Sequence, residues 1–471
     1  MSKKKSNEHH SDHDKVARIT VDSRSRADRK AEGKAMRLAV PLDSHAVWKA
    51  PENRRDSIDL LIESSAGRVP ELLPIRYGRM LQSPFTFYRG SAALMAYDLA
   101  NLPTTGIRVQ ACGDAHLGNF RGQGTPERRL IFVINDLDET LPAPWEWDVK
   151  RLCASIVVAG RINGYTQDEI RKSVTTCVRS YRERMREFSK MSALDVWYFS
   201  IDADEVLAHT DNCVAKRRLE KRIDEARDRT SLTDFPEMVT FENGVHRIRD
   251  NPPLIYHDQS EAAAIIEARV RKGFQRYRET LPEDKRMIVD RYEVKDYARK
   301  VVGVGSVGTR CAILLMMGGA EDPLFLQVKE ARASVLEPYA GKSAYDNHGQ
   351  RVVMGQRLIQ PVSDIFLGWV EGEAGYHFYV RQLRDMKIKP QVEIFEPATM
   401  KVFAELCGWS LAASHARSGD SAKISGYLGK KETFDEAIAD FAESYADQNE
   451  KDYQALVQAV RDSRLQVHIE S

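Results

Sequence analysis

Five consecutive apolar residues, Leu130-Ile131-Phe132-Val133-Ile134, run straight into Asn135-Asp136-Leu137-Asp138-Glu139. A run of that length, rich in β-branched side chains, predicts a buried strand that delivers carboxylates to one end of a sheet. Upstream, Ile107-Arg108-Val109-Gln110-Ala111-Cys112 reads as a second short strand. It enters the loop Gly113-Asp114-Ala115-His116-Leu117-Gly118-Asn119-Phe120, after which Gly122, Gly124 and Pro126 mark a turn. Strand, loop and strand would give an aspartate, an asparagine five positions later and a second aspartate one rigid base.

Phosphoryl transfer asks little covalent chemistry of a protein. It needs a carboxylate beside the attacking hydroxyl and oxygen ligands for the Mg²⁺ that holds the phosphates. Asp114 and Asn119 have the spacing for that carboxylate and a neutral metal ligand on one loop. Asp136 is a harder oxygen ligand suited to Mg²⁺, and Asp138 competes with it for the role. His116 either bonds the loop backbone or acts as a base. Taken without Asp136, the Asp114–Asn119 pair would read simply as a turn cap. Arg79 and Arg89 precede the site, either as binders of phosphate or an acidic substrate or as paired arginines; Trp145 and Trp147 read as packing residues.

A second constellation lies far downstream. Gly303-Val304-Gly305-Ser306-Val307-Gly308 is a G-x-G-x-x-G run, followed by the apolar stretch Arg310 to Met317, a Gly318-Gly319 turn and the strand Leu324 to Lys329. Strand residues, not a helix, follow these glycines, which favours a phosphate-clamping hairpin over a dinucleotide fold. Glycines let backbone N–H groups approach phosphates and Lys329 would neutralise them, so Gly303, Gly305, Ser306, Gly308 and Lys329 are the candidate ATP contacts.

Gly113-Asp114-Ala115-His116-Leu117-Gly118-Asn119 resembles the catalytic loop of aminoglycoside and choline phosphotransferases, which read His-Gly-Asp-x-His-x-x-Asn. Val133-Ile134-Asn135-Asp136-Leu137-Asp138 resembles their metal-binding strand end. Trp147-Asp148-Val149-Lys150-Arg151-Leu152 resembles the helix start that follows, in which the aspartate is structural. Cys112 stands where that family usually has histidine, and Asn135 where a simple overlay expects the metal aspartate. In ordinary kinases the glycine loop and lysine strand precede the catalytic loop; here they come after it. The resemblance therefore implies an α+β, two-lobed, protein kinase-like fold that is circularly permuted and carries extra helices. It implies ATP and Mg²⁺ as cofactors, with Glu337, or alternatively Glu330, as ion-pair partner of Lys329. Ser414-His415-Ala416-Arg417-Ser418-Gly419-Asp420 resembles the end of the helix that normally leads into the catalytic loop, where His415 and Asp420 either complete the site or end the helix. Much of the chain, roughly 55 to 460, is also similar to a bacterial family known as domain of unknown function 2252, through Arg79 to Phe85, Phe87-Tyr88-Arg89-Gly90, Cys112 to Phe120, Asn135 to Thr140, Gly303 to Arg310, Leu326 to Ala331 and Ser414 to Arg417.

At 471 residues the chain exceeds one simple core. The expected division is a disordered basic tail over 1–35, a helical and catalytic-loop half over 36–290, an antiparallel ATP-clamping lobe over 291–390, and C-terminal helices over 391–471 that complete the first half. Within it, Thr166 and Glu169 form a capping box that opens a long helix to about Phe188; Arg357 to Gln360 and Phe378 to Arg381 read as strands. A net charge of +1 gives no strong signal for nucleic acid. No apolar run approaches a membrane span, and the basic start lacks the apolar stretch of a signal peptide, so a cytoplasmic location is expected. Six scattered cysteines read as reduced, buried thiols. The expected activity is ATP- and Mg²⁺-dependent transfer to an unidentified phosphoryl acceptor. A metal-dependent phosphoesterase and a non-catalytic nucleotide-binding regulator are the alternatives.

Overall fold

The computed structural model describes residues 16–469, apart from 211–212, 243, 259–262, 302, 320–321 and 384–385. The chain is of mixed α+β type, and its named strands pair antiparallel. Strand β1 (Arg108–Ala111) is joined, across β2 (Phe120–Gly124) and β3 (Leu130–Ile134), to β4 (Leu141–Pro144). β1 pairs with β4 and β2 with β3. β3 is buried at every residue, which accounts for its unbroken apolar run.

A hairpin, β5 (Val239–Glu242) and β6 (Val245–Ile248), precedes a six-stranded sheet. That sheet is built from β7 (Ile255–Tyr256), β8 (Glu293–Lys300), β9 (Cys311–Gly318), β10 (Asp322–Ala331), β11 (Gly368–Glu371) and β12 (His377–Gln382), in the spatial order β11-β12-β10-β9-β8-β7. Both of its faces are covered at β9 and β10. Leu314, Met316 and Leu326 pack under Tyr277 of the Ala263–Glu279 helix, whereas Ile313, Leu315 and Phe325 pack against Met238 and Ile248. Two covered faces explain why β9 is apolar without alternation. They also give the charge-rich stretch between Leu194 and Pro253 a structural role, since Met238, Val239 and Ile248 close the second face. After the sheet, β13 (Lys387–Ile388) returns to pair with β2.

The largest core joins β1–β4 to four helices: Trp145–Ile162, Gln167–Phe188, Pro397–Ser418 and Thr433–Arg461. The Gln167–Phe188 helix begins at the expected capping box of Thr166 and Glu169. Trp145 stacks on Tyr181, their planes within 4°. The Pro397–Ser418 and Gln167–Phe188 helices touch backbone to backbone at Gly408, where a Cβ would lie 2.1 Å from the Cys177 carbonyl oxygen. Gly408→Ala is therefore expected to destabilise the fold by about 1–3 kcal/mol, the usual size of an overpacked core. An unchanged midpoint in urea unfolding would show that the helices can separate freely.

Two expectations are corrected. Residues Arg26–Ala35, placed in a disordered tail, form a helix capped by Ser25, whose Oγ accepts from Asp28 N–H. It docks through Gly33, whose Cα approaches the Lys423 backbone too closely for any side chain. Residues 1–15 of that tail lie outside the described residues. Arg357 to Ile359, read as strand, end the His348–Ile359 helix; Asn347 caps it by accepting from Gln350 N–H. The five cysteines with described side chains are free and buried; the Cys213 side chain is outside the described part. Among the described residues no helix is long and apolar enough to cross a membrane.

Candidate functional site

The loop after β1 is held from behind. Cys112 and Gly113 donate their N–H groups to the two oxygens of Asp148, at 2.6 and 3.0 Å. His415 Nε2 lies 3.2 Å from the same carboxylate, and His415 Nδ1 meets the Tyr181 hydroxyl at 2.9 Å. Gly113 has φ +81°, and a Cβ there would sit 2.5 Å from the Glu139 carbonyl oxygen, so no other residue fits that turn. Asp148 and His415 are buried and act on the loop's shape. Asp420 instead caps the Ser421–Leu428 helix.

Within the loop, Asp114 Oδ1 accepts from Arg151 Nε at 2.6 Å and pairs with its other nitrogen at 2.5 Å. Arg151 is buried over the Tyr88 ring. This fixes one Asp114 oxygen and leaves the other to the cleft. Asn119 donates through Nδ2 to the Asp114 carbonyl at 2.7 Å, which leaves its Oδ1 as an acceptor. His116 is held neutral: burial, reinforced by Arg89 and Arg151, pushes its pKa well below the ordinary value. Its Nδ1 accepts from Gly118 N–H, so the proton sits on Nε2 and no ring lone pair is free. As a base His116 is thus unsuited; it shapes the loop.

β3 delivers Asp136 and Asp138 as expected, but Lys329 meets them directly. Its Nζ lies 2.7 Å from Asp138 Oδ2 and 3.7 Å from Asp136 Oδ1. Burial opposes the charge on Lys329, yet the two carboxylates outweigh it and hold its pKa well above the usual range. On Asp138, burial is likewise overcome by Lys329 and the Tyr379 hydroxyl, which take its pKa down to about 2. Asp138 also accepts from Tyr379 at 2.6 Å and Ser306 at 3.1 Å. Its oxygens are therefore occupied, whereas Asp136 Oδ1 is buried without a hydrogen-bond donor. The expected glutamate partner of Lys329 is not found in either place. Glu337 lies at a helix start, accepting from Ser334 N–H with His348 nearby, and Glu330 is taken by Arg310.

The glycine run connects β8 to β9. Its carbonyls are tied back: buried Arg76 donates to Val304, Gly305 and Gly90, Arg68 donates to Val307, and Val69 N–H donates to Gly308. Gly303 has open space where a Cβ would be, and Gly305 has only the Arg89 carbonyl at 3.5 Å. Gly308 is needed for its φ of +86° and its contact with Arg68, not for the cleft.

These parts surround one cleft of about 910 Å³. Asp114, His116, Asn119, Asp136, Asp138 and Lys329 line it, and so do Gly303, Gly305 and Ser306; Gly308 and Glu337 do not. Lysines and arginines outnumber aspartates and glutamates along its described wall, which favours an anionic ligand. Among the described residues no cluster of three or more His, Cys, Asp or Glu could cage a metal. Mg²⁺ needs no such cage, since one or two carboxylates, water and substrate phosphates suffice. The partly exposed Asp136 carboxylate and the Asn119 amide fit that pattern.

A family model described as "Uncharacterized protein conserved in bacteria (DUF2252)" matches residues 68–459. The chain belongs to the DUF2252 family. No curated protein and no solved structure matches it. In this DUF2252 chain the Asp114 loop, Asp136, Asp138, the glycine run and Lys329 all fall inside the matched span. Several of its site residues escape a reading of motifs. Arg151 had a signal, a basic residue one helical turn from Asp148. Arg351, buried and donating to the carbonyls of Thr140, Asp138 and Arg332, sits in the segment whose helix is hidden by its strand-like end. Arg76, Tyr379 and Arg381 carry no motif at all.

Proposed function

We propose that this DUF2252 protein is an ATP- and Mg²⁺-dependent phosphotransferase with a permuted, two-lobed, kinase-like arrangement. The observation that carries the reading is the convergence of a buried sheet lysine, Lys329, on Asp136 and Asp138, in the cleft that also holds Asp114, Asn119 and the glycine loop. In this reading residues 291–390 clamp the nucleotide, and residues 36–290 with 391–471 form the other lobe. The Pro397–Ser418 helix supports it, because it follows the sheet in sequence yet backs the Asp114 loop through His415.

The roles follow from what each side chain leaves unused. Asp138 sets the position of the Lys329 ammonium, which would meet the α- and β-phosphates. Gly303, Gly305 and Ser306 would lie over the phosphates. The Asp136 carboxylate and the Asn119 amide oxygen would hold Mg²⁺, which when bound neutralises phosphate charge at the terminal group. Asp114, with one oxygen fixed by Arg151, would orient the acceptor hydroxyl with the other. Titration calorimetry on the whole chain tests the reading. ATP is expected to bind with Mg²⁺ and at least about tenfold more weakly with a chelator. No heat with millimolar ATP and Mg²⁺ would end it. The hold of Arg151 on Asp114 also suits a non-catalytic nucleotide-binding regulator, which would bind ATP and release no ADP with any acceptor. Hydrolysis of a model phosphodiester without ATP would point instead to a metal-dependent phosphoesterase.

A further inference from the structure

Most arginines around the cleft are committed. Arg151 is held by Asp114, Arg310 by Glu330, and Arg76 and Arg351 by backbone carbonyls. Three others are not. Arg89 lies in the last turn of the Pro84–Gly90 helix, Arg121 on β2 two residues past Asn119, and Arg381 on β12 opposite Gln327. All three line the cleft beside Asp114, Asn119 and Asp136. Among the described residues none of the three has a carboxylate within ion-pair distance. Arg381 donates Nε to Gln327 Oε1 at 3.2 Å. Arg121 has its Nε buried with no acceptor at all. Arg89 stands against the Asp114 loop, its Nε 3.7 Å from where a Cβ on Gly118 would be.

A wall that gathers guanidiniums with donors unused offers paired N–H groups to an anion. It is also a poor seat for a nucleotide base, which favours apolar surroundings.

We propose that Arg89, Arg121 and Arg381 form a second phosphate subsite in the cleft, beside the Lys329 ammonium. This rests on the phosphotransferase reading of the same cleft. Its occupant is a phosphate ester: either a phosphate carried by the acceptor, or the terminal phosphate of the nucleotide. Guanidinium pairs match phosphate oxygens two at a time, so losing one should weaken binding by about 10- to 100-fold.

The test measures inorganic phosphate, ADP–Mg²⁺ and ATP–Mg²⁺ binding to the full chain, for wild type, Arg121→Gln and Arg381→Gln. If both variants lose phosphate affinity by tenfold or more and keep ADP and ATP affinity, the subsite serves the acceptor. If they lose ATP affinity and keep ADP affinity, it serves the terminal phosphate. Unchanged affinity for both phosphate and ATP overturns the proposal. Wild-type protein that binds phosphate through these arginines but no nucleotide would keep the subsite and defeat the phosphotransferase reading. Thermal unfolding without ligand gives an independent check. Because its Nε is buried without an acceptor, Arg121→Gln should be at least as stable as wild type, whereas a marked drop would make Arg121 a structural residue and overturn the assignment.

Discussion

Lys329→Met is expected to lower ATP turnover, read as ADP release, by about 10²–10³-fold, the usual loss when one pre-placed charge donor is removed from a phosphate or oxyanion site. The same change should destabilise the unliganded protein. It strips the partner from Asp138, whose oxygens otherwise accept from Tyr379 and Ser306, and leaves Asp136 with no cation at 3.7 Å. Breaking a buried pair from one side costs about 3–5 kcal/mol, and the lower end applies here because the Asp136 side chain is 35% exposed. Adding Asp138→Asn to Lys329→Met should recover much of that stability and none of the turnover. A single variant that turns over normally would remove Lys329 from the chemistry. A double variant no more stable than the single one would show that the pair contributes little to the fold.

Asp148→Ala should be nearly as damaging, although Asp148 does not line the cleft. The carboxylate accepts from Cys112 N–H, Gly113 N–H and His415, all buried. Each buried donor left unmet costs about 1–3 kcal/mol, so the loss should come to several kcal/mol, visible as a lower urea midpoint. Asp114 hangs from this anchor, and turnover should fall with it by at least about 100-fold. Asp148→Asn keeps the shape but offers one accepting oxygen in place of two, and should land between wild type and alanine. His415→Ala removes only one of the three partners and should be the mildest. If Asp148→Ala unfolds and turns over like wild type, the loop is held by something else.

The parts of the site that are local in sequence are legible in it. The Leu130–Ile134 run, the Asp114–Asn119 loop and the Thr166 capping box each follow from short-range chemistry, and each forms where its residues predict. What escapes is either a pairing between distant positions or a signal masked by a stronger one. Local spacing points to nearby glutamates as partners of Lys329, but Asp138 reaches it across 191 positions, and no local rule links the two. The helix ending at Ile359 has an apolar pair in its last residues that looks like strand; the cap at Asn347, immediately before its start, is the better guide. The Arg26–Ala35 helix is hidden by its composition. It docks through Gly33 rather than through an apolar stripe, so its charged surface looks like that of a free tail.

The backing of the Asp114 loop has a consequence for how the protein is made. Residues 108 to 148 leave the ribosome before the segments that brace them, carrying the loop, Asp136 and Asp148. β13, which completes the β2 edge, and His415, which braces Asp148, are translated well after them. The Thr433–Arg461 helix, which closes the same core, comes later still. A nascent chain stopped at residue 380 would thus hold a glycine loop and Lys329 beside an unbraced loop with an open strand edge. Such an intermediate exposes apolar surface and unpaired backbone, which invites aggregation or chaperone capture. On the phosphotransferase reading, activity should therefore appear only once the Thr433–Arg461 helix has been made.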